Sequence, residues 1–579
     1  MARHESWHLF IAPLYLETKK DESQIDSSQY AEQLMASILK DSRFKLKERR
    51  FSVKSPGDYG VFQYFFDDAK RSIFWFGNEG RARDGAIRFR LNVSDSPYNE
   101  EEPQPIGDML LRIFDNAEGK SWMLDELQLE LMDVDITFYK FDVGHVSFLC
   151  RYRHPTEGAE AEESFYRYVL MINDRLRRLY LPWLAKGVKD VPKEDLEGRI
   201  AAQVEGNAPY NDVRISIRED FANDPSEGND VILEDYSACL SFETVNINSP
   251  HRPVLLETAL GKMDKTDLGC SFEMLDDNRM FTVAYVLADR LDSFLDVSPW
   301  GRVEALNQSS RWHRLLTVDG AQRSMITSYE PLRIQTVKNS TYTRWLDPED
   351  SENSTLFGCT RHSFIMLGSR RNFHFRMNLR SNFLHQYGEM ARLVLAQSAA
   401  VHRFGRVTYR LSGKITGNDG AVESRGLNEE VFQEASEFKQ AFNDFINRLL
   451  FREITSQPQG TELYRMLQNK LDIMAHLSEL RDEITQLSNH MEMLQRQSQE
   501  KSIRQLTQTS ILLGVLAFLT GFYGSNFFAI DAGTMKTDIH ALSLFGLVLM
   551  VTLLGASFTT LLSSIPFAIG DRIWRLFRK

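Results

Sequence analysis

Cysteine is scarce in this chain. Its 579 residues hold four, Cys150, Cys239, Cys270 and Cys359, far apart and never in a Cys-x-x-Cys pair. That excludes a disulfide framework and fits reduced cytosolic thiols. Catalytic signatures are missing as well. There is no Gly-x-x-x-x-Gly-Lys phosphate loop and no Gly-x-Ser-x-Gly, so an enzyme is the class least expected. The thirteen histidines show no persuasive ligand spacing, and Asp133 and Asp135, in an apolar strand context, read as edge or turn acids rather than an acid/base dyad. Positive charge is in deficit: 68 Lys and Arg face 80 Asp and Glu, a net −12, which argues against nucleic acid as a partner. The first residues, Met1-Ala2-Arg3-His4-Glu5, carry no apolar signal region.

What is also missing, locally, is charge. None occurs between Arg504 and Asp531 or between His540 and Asp571, and each gap exceeds the roughly 20 residues that cross a hydrocarbon core. Two membrane spans are therefore expected, the first as the end of one long helix over 461–523, the second over 541–570, joined by an external loop at 524–540. Arg496, Lys501 and Arg504 precede the first span, and Arg572, Arg575, Arg578 and Lys579 form a basic tail at 571–579. The positive-inside bias puts both termini in the cytoplasm of a cell (inner) membrane protein.

Two helices enclose no water path, so transport through them requires several copies about an axis. Ile473, Leu477, Leu480, Ile484, Leu487, Met491 and Leu494 step by four and three, the heptad seam of a helix packed along other helices. A second stripe with the same stepping reads Ser478, Asp482, Thr485, Asn489, Glu492, Arg496, Gln499, Ile503, Leu506, Ser510, Leu513 and Ala517, then Gly521 and Gly524. Polar, then apolar, then small, it suits a wet lumen that narrows at Ile503 and Leu506, a candidate hydrophobic gate closing by dewetting. The plainer alternative is the solvated back of a coiled coil.

The turn after the first span decides between these. Tyr523-Gly524-Ser525-Asn526-Phe527 resembles the Tyr-Gly-Met-Asn-Phe signature of the CorA family of divalent-cation channels, with Ser525 as the departure. The resemblance is firm over Leu427–Lys579, looser over 230–426 and absent from the first 200 residues. It implies a funnel-shaped homopentamer in the bilayer. A ring of Asn526 carboxamides at its mouth would bind hydrated Mg²⁺, or another divalent cation, through waters the ion gives up reluctantly. Gly524 would permit the turn, and an inside-negative potential would draw the ion in at about 2.3 kcal/mol per charge per 100 mV. It further implies regulatory carboxylates between subunits, for which Asp472, Glu479, Asp482 and Glu483 are the candidates.

Ahead of the tail, length alone calls for two or more soluble α/β domains. Residues 1–195 form the first, with strands at Trp7–Leu16, Val61–Phe66, Ser72–Phe76, Ala86–Val93, Leu127–Phe141 and His145–Tyr152 and helices at Tyr30–Leu39 and Glu163–Leu181. Arg175, Arg177 and Arg178 make a basic patch, read most simply as a solvated, ion-paired helix face. A connector, 196–229, leads to a second domain, 230–426, with strands at Ser363–Leu367 and Asn372–Arg380, a helix from Asn382 to Arg403 and a loop over Ser412–Leu427. Arg361, Arg370, Arg371, Arg376 and Arg380 would suit a phosphate-bearing anion if they shared one face; salt bridges to acidic loops or subunits are the alternative. The segment 427–460 carries a phenylalanine-rich helix expected antiparallel beside the stalk.

Two functions remain. One is a transporter passing Mg²⁺ or another divalent ion. The other is a signal-gated membrane effector, for which the enlarged soluble part resembles CorA-like proteins accompanying type III CRISPR defence systems, with a nucleotide second messenger as the implied ligand.

Overall fold

The structure, a computed structural model, describes residues 4–18, 27–49, 51–53, 56–74, 86–91, 104–117, 120–139, 141–155, 159–177, 211–221, 230–233, 256, 259–261, 264–265, 268–275, 279–318, 320, 329–371, 373–416, 429–524 and 546. In chain order the elements are β1 (Glu5–Thr18), α1 (Ser27–Asp41), β2 (Leu46–Glu48), α2 (Pro56–Tyr64), α3 (Asp67–Ile73), β3 (Ile87–Leu91), β4 (Gly107–Ala117), β5 (Lys120–Tyr139), β6 (Val143–Arg153) and α4 (Ala159–Leu176). There follow β7 (Asn211–Arg218), β8 (Asp230–Leu233), β9 (Asp264–Lys265), β10 (Cys270–Met274), β11 (Phe281–Ala288), α5 (Leu291–Leu295), α6 (Val303–Gln308), α7 (Ser310–Thr317), α8 (Glu330–Ser340), β12 (Thr341–Tyr342), β13 (Thr355–Cys359) and β14 (Ser363–Ser369). The rest is helical: α9 (Phe373–Asn382), a π turn at Phe383–Tyr387, α10 (Gly388–Thr416), α11 (Glu429–Arg448), α12 (Pro458–Lys470) and α13 (Ile473–Gly524).

β1 is the strand on which the soluble part is built. Trp7, Phe10, Ile11, Ala12 and Leu14 are all at most 1 % exposed, so both of its faces are covered, as in a strand at the centre of a packed sheet. It lies antiparallel to β6 along one side, and along the other to β11 through Glu5–Ile11 and to β10 through Leu14–Thr18. The sheet runs β12-β13-β14-β11-β1-β6-β5-β4-β7-β8, with β10 and β9 branching from β1, and β3 and β2 from β5. Only the β11 and β14 pair is parallel among these ladders. Observed strands from 1–195 and from 230–426 thus form one sheet, because β1 is bonded to both.

The described chain separates instead into two compact units, Met1–Leu411 with Ser436–Glu483, and Ser412–Ala435 with Ile484–Lys579. The sheet lies in the first.

Several elements differ from expectation. Val61–Phe66 and Ser72–Phe76 were expected as strands, but α2 and α3 are helices, and residues 75 and 76 lie outside the described residues. Val61 in α2 and Phe65 just past its end are both buried, while Asp67 and Asp68 sit in the first turn of α3, where carboxylates suit the helix dipole. A short apolar run carries no period long enough to separate the two states. Asn372–Arg380 alternates like a strand, yet it forms α9. The decisive spacing is longer: Leu379, Phe383 and Tyr387 stand four apart and all are buried. The expected loop over Ser412–Leu427 begins as helix, since α10 runs to Thr416; 417–428 lie outside the described residues.

The expected single helix over 461–523 is two. Leu471 and Asp472 separate α12 from α13, and Asp472 has φ 52°, a left-handed conformation that aspartate tolerates better than most residues. Gln397 ties α12 to α10: its amide donates to Leu449 O at 2.8 Å and Tyr464 Oη at 2.8 Å, and Gln468 donates to its carbonyl at 3.0 Å. The phenylalanines of α11 pack on α10, with the Phe404 ring 5.6, 5.4 and 5.3 Å from those of Phe438, Phe442 and Phe445. Gly460 leaves no room for a side chain, since a Cβ there would meet Tyr64 Oη at 2.2 Å and Thr455 Cγ2 at 2.6 Å. Gly460→Ala is therefore expected to destabilise this unit by about 1–3 kcal/mol, despite alanine's better helix propensity, as a lowered midpoint in thermal unfolding will show.

Candidate functional site

Along α13 the heptad seam is covered and the rest is open. Ile473, Leu477 and Leu480 are buried in the first unit; in the second, Ile484 and Met491 are buried and Leu487 and Leu494 half-buried. The other stripe is exposed throughout its described length, Gln499, Ser510 and Ala517 among it, with Ile503 62 %, Leu506 67 % and Leu513 59 % exposed. Ile511, Leu512, Leu516 and Phe518 are exposed too, so this end of the helix is apolar all round. Such a surface calls for apolar surroundings. Its hydroxyls ask for no water: Thr507 and Thr509 donate to Ile503 O at 2.7 Å and Gln505 O at 2.8 Å.

Among the described residues, no helix is long and apolar enough to cross a membrane. The expected first span is described only as far as Gly524, with no side chains beyond Phe518, which leaves out that of Tyr523. Ser525 and Asn526 lie outside the described residues, as does the second span, 541–570, apart from Gly546.

Within one chain the four stalk carboxylates make no metal-binding cluster among the described residues. Asp472 is at the helix break, Glu479, Asp482 and Glu483 are exposed on α13, and no group of three or more His, Cys, Asp or Glu among the described residues could hold a metal ion. The sequence also contains His4-Glu5-Ser6-Trp7-His8, the His-Glu-x-x-His pattern of zinc proteases. That chemistry needs a helix, which puts both imidazoles one turn apart, whereas on β1 they stand four strand residues, roughly 13 Å, apart. His8 instead bonds Asn173 at 2.7 Å and Ser6 at 2.8 Å, and burial lowers its pKa to about 4.

The arginines of 361–380 share no anion site. Arg361 is exposed, Arg370 forks onto Asp289, Arg371 pairs with Glu352 at 2.5 Å, and Arg380 is buried with its guanidinium 5.8 Å from the Trp7 ring. The side chain of Arg376 lies outside the described residues. Burial would raise the Asp289 carboxyl, but the Arg370 hydrogen bond and charge hold it below its ordinary value. The expected basic patch at 175–178 is likewise not a solvated face: Arg175 and Arg177 are 8 % and 3 % exposed, flanking Asp174 at 3.8 and 3.9 Å. Arg178 lies outside the described residues.

Asp133 and Asp135 correct the expectation most. Rather than edge or turn acids, each is 2 % exposed, inside a lattice joining β3, β5 and β6 to α10. Arg88 donates both terminal nitrogens to Glu389, at 3.1 and 2.6 Å, and its Nε lies 3.1 Å from Asp135. Arg392 donates to Glu389 at 2.8 Å and to Ser147 at 3.1 Å, while Arg90 pairs with Asp133. Three guanidiniums thus meet three carboxylates. Burial would raise both Glu389 and Asp135, but the Arg88 and Arg392 charges, together with the hydrogen bonds from Arg88 to Glu389 and from His145 to Asp135, outweigh it and hold each below the usual range. At Asp133 burial prevails over Arg90, and the carboxyl is raised. Burial keeps His145, 3.7 Å from Asp135, on the neutral side. The lattice is a clamp, not an acid/base pair, because every acid faces a permanent cation. A signal for it exists in the sequence: two basic residues two apart on β3 and two acidic ones two apart on β5, in strands whose register sets Arg90 opposite Asp135.

A long helix ending in an apolar, exposed segment is a broad class of architecture. The comparisons narrow it. Residues 432–561 match the family model of the CorA-like Mg²⁺ transporter proteins, so the C-terminal segment of this chain is CorA-like. Among solved structures, the chain is similar to the complete CorA magnesium transporter from Methanocaldococcus jannaschii, at 12 % identity over 50 % of this chain and 93 % of that one, with a TM-score of 0.19. No curated protein sequence matches.

Proposed function

We propose that the chain is one protomer of a homopentameric membrane channel that passes a divalent cation, Mg²⁺ foremost, into the cytoplasm. The carrying observation is the CorA-like match over 432–561, which takes in most of α11, all of α12 and α13 and much of the expected second span. The exposed apolar end of α13 supports it, since copies packed about an axis within lipid would cover that surface. In this reading the Asn526 ring receives the hydrated ion, Gln499, Ser510, Leu513, Ala517 and Gly521 line the path, and Ile503 and Leu506 close it. The two spans of a single chain cannot enclose such a path; several copies about an axis can.

Ion flux into proteoliposomes tests the proposal. Mg²⁺ uptake driven by an inside-negative potential is expected, and its absence from a folded, reconstituted protein overturns it. Replacing Leu506 by asparagine should hydrate the constriction and raise the resting leak about ten-fold or more, read as uptake under conditions where the parent is closed; an unaltered leak moves the gate away from residue 506. The signal-gated alternative is favoured by one feature, the size of the sheet-bearing unit that precedes the matched segment. Flux dependent on an added nucleotide would select it, and flux indifferent to nucleotides and suppressed by internal Mg²⁺ would select the plain transporter.

A further inference from the structure

The first unit contains a cleft of about 690 Å³ between α10, the first turns of α13 and the end of β1. Its two helical walls are opposite in charge. From α10 come Arg403, Arg406 and Arg410, spaced three and four apart on one helix face. Arg403 is hydrogen-bonded to Asp142, and Arg406 donates to Glu273 at 3.1 Å with its guanidinium 4.8 Å from the Tyr15 ring. Each of these two contacts orients the guanidinium yet uses one of its five N–H donors, so a preformed row of donors remains. From α13 come Glu479 and Glu483, one helical turn apart, exposed, and without a hydrogen bond or ion pair among the described residues. Like charges at this spacing repel, and neither carboxylate has an ion pair among the described residues.

We propose that this cleft binds a small dipolar molecule, with a phosphate-type anion held by the α10 arginines and an amine held by Glu479 and Glu483. A simple anion is disfavoured by the unneutralised carboxylates, and a bare metal cation by the absence of a ligating group among the described residues. Guanidinium selects phosphate by its two-pronged geometry, and an ammonium fits a pair of carboxylates beside aromatic rings such as His402 and His476, which lie edge to face at 5.6 Å. The site is distinct from the Arg361–Arg380 segment, where Arg370 and Arg371 pair with Asp289 and Glu352. Occupancy bridges α10 to the three turns of α13 that follow the left-handed Asp472. Any effect on gating rests on the proposed channel function; binding does not, so the two can fail separately.

The test is calorimetric titration of the full-length protein in detergent with phosphoethanolamine, and with inorganic phosphate and ethanolamine singly. Phosphoethanolamine is expected to bind about ten-fold or more tightly than either fragment. Arg406→Gln and Glu483→Gln, both at exposed positions, are each expected to weaken it by about ten-fold while leaving the thermal midpoint unchanged. A short-chain phosphatidylethanolamine that binds more tightly than the free solute would support the same chemistry with a lipid headgroup as its source; weaker binding would support a free solute. The proposal is overturned if inorganic phosphate alone binds as well, if phosphoethanolamine gives no heat at millimolar concentration, or if both variants titrate like the parent.

Discussion

Replacing Glu389 by alanine is expected to cost the sheet-bearing unit about 3–5 kcal/mol, the largest stability effect of any single truncation considered for this chain. The side chain is 7 % exposed and accepts from Arg88 at 3.1 and 2.6 Å and from Arg392 at 2.8 Å. Its removal leaves two guanidiniums short of a counter-charge where water cannot replace it. Chemical denaturation reads the loss, and a double-mutant cycle with Arg88→Met separates the two contributions: the pair of replacements should cost well below the sum of the singles. Additivity would show that Glu389 acts through packing alone. The sign with pH follows from the same contacts. Glu389 has a folded-state pKa below its ordinary 4.5 and Asp135 one below its ordinary 3.8, so their contribution is fully present above those values and is lost as pH falls through the depressed ones. Asp133, raised by burial, works in the other direction and blunts this acid limb. Glu389→Ala should therefore flatten the acid dependence of stability as well as lower its plateau.

The second large effect concerns Asn526. If copies of the tail ring a common path, Asn526→Ala removes every carboxamide of the collar at once and is expected to abolish selective Mg²⁺ uptake while the oligomer still assembles. Proteoliposome flux together with particle mass checks both halves of that statement. Full, selective uptake by an assembled variant would refute the role of residue 526. A conservative Asn526→Gln keeps the carbonyl on a longer arm; partial recovery there would point to the acceptor group itself rather than to the turn that carries it.

The soluble part shows where reading a sequence succeeds and where it stops. β1, β3, β5, β6 and β14 fall at the expected places because their apolar and β-branched residues continue long enough to fit only an extended chain. α1 and α4 do so because their period is helical over several turns. The failures are short or ambiguous: Val61–Phe66 is a run with no readable period, and Asn372–Arg380 alternates by coincidence before a buried spacing of four takes over at Leu379. Asp133 and Asp135 were visible as charges in an apolar strand, but their meaning depended on β3 lying beside β5 and on Glu389 of α10 reaching Arg88.

By itself the sequence determined the chemistry of the tail: two uncharged stretches, an apolar seam from Ile473 to Leu494, and the run Tyr523-Gly524-Ser525-Asn526-Phe527, all local patterns that need no partner to be recognised. Only the tertiary structure decided that strands from either side of the expected connector share one sheet through β1, that the stalk breaks at Asp472, and that buried arginines and carboxylates neutralise one another. The reason is range. Periodicity and turn chemistry are set by residues a few positions apart, whereas the partner of a buried charge, such as Glu389 for Arg88, lies 301 positions away and is chosen by the fold.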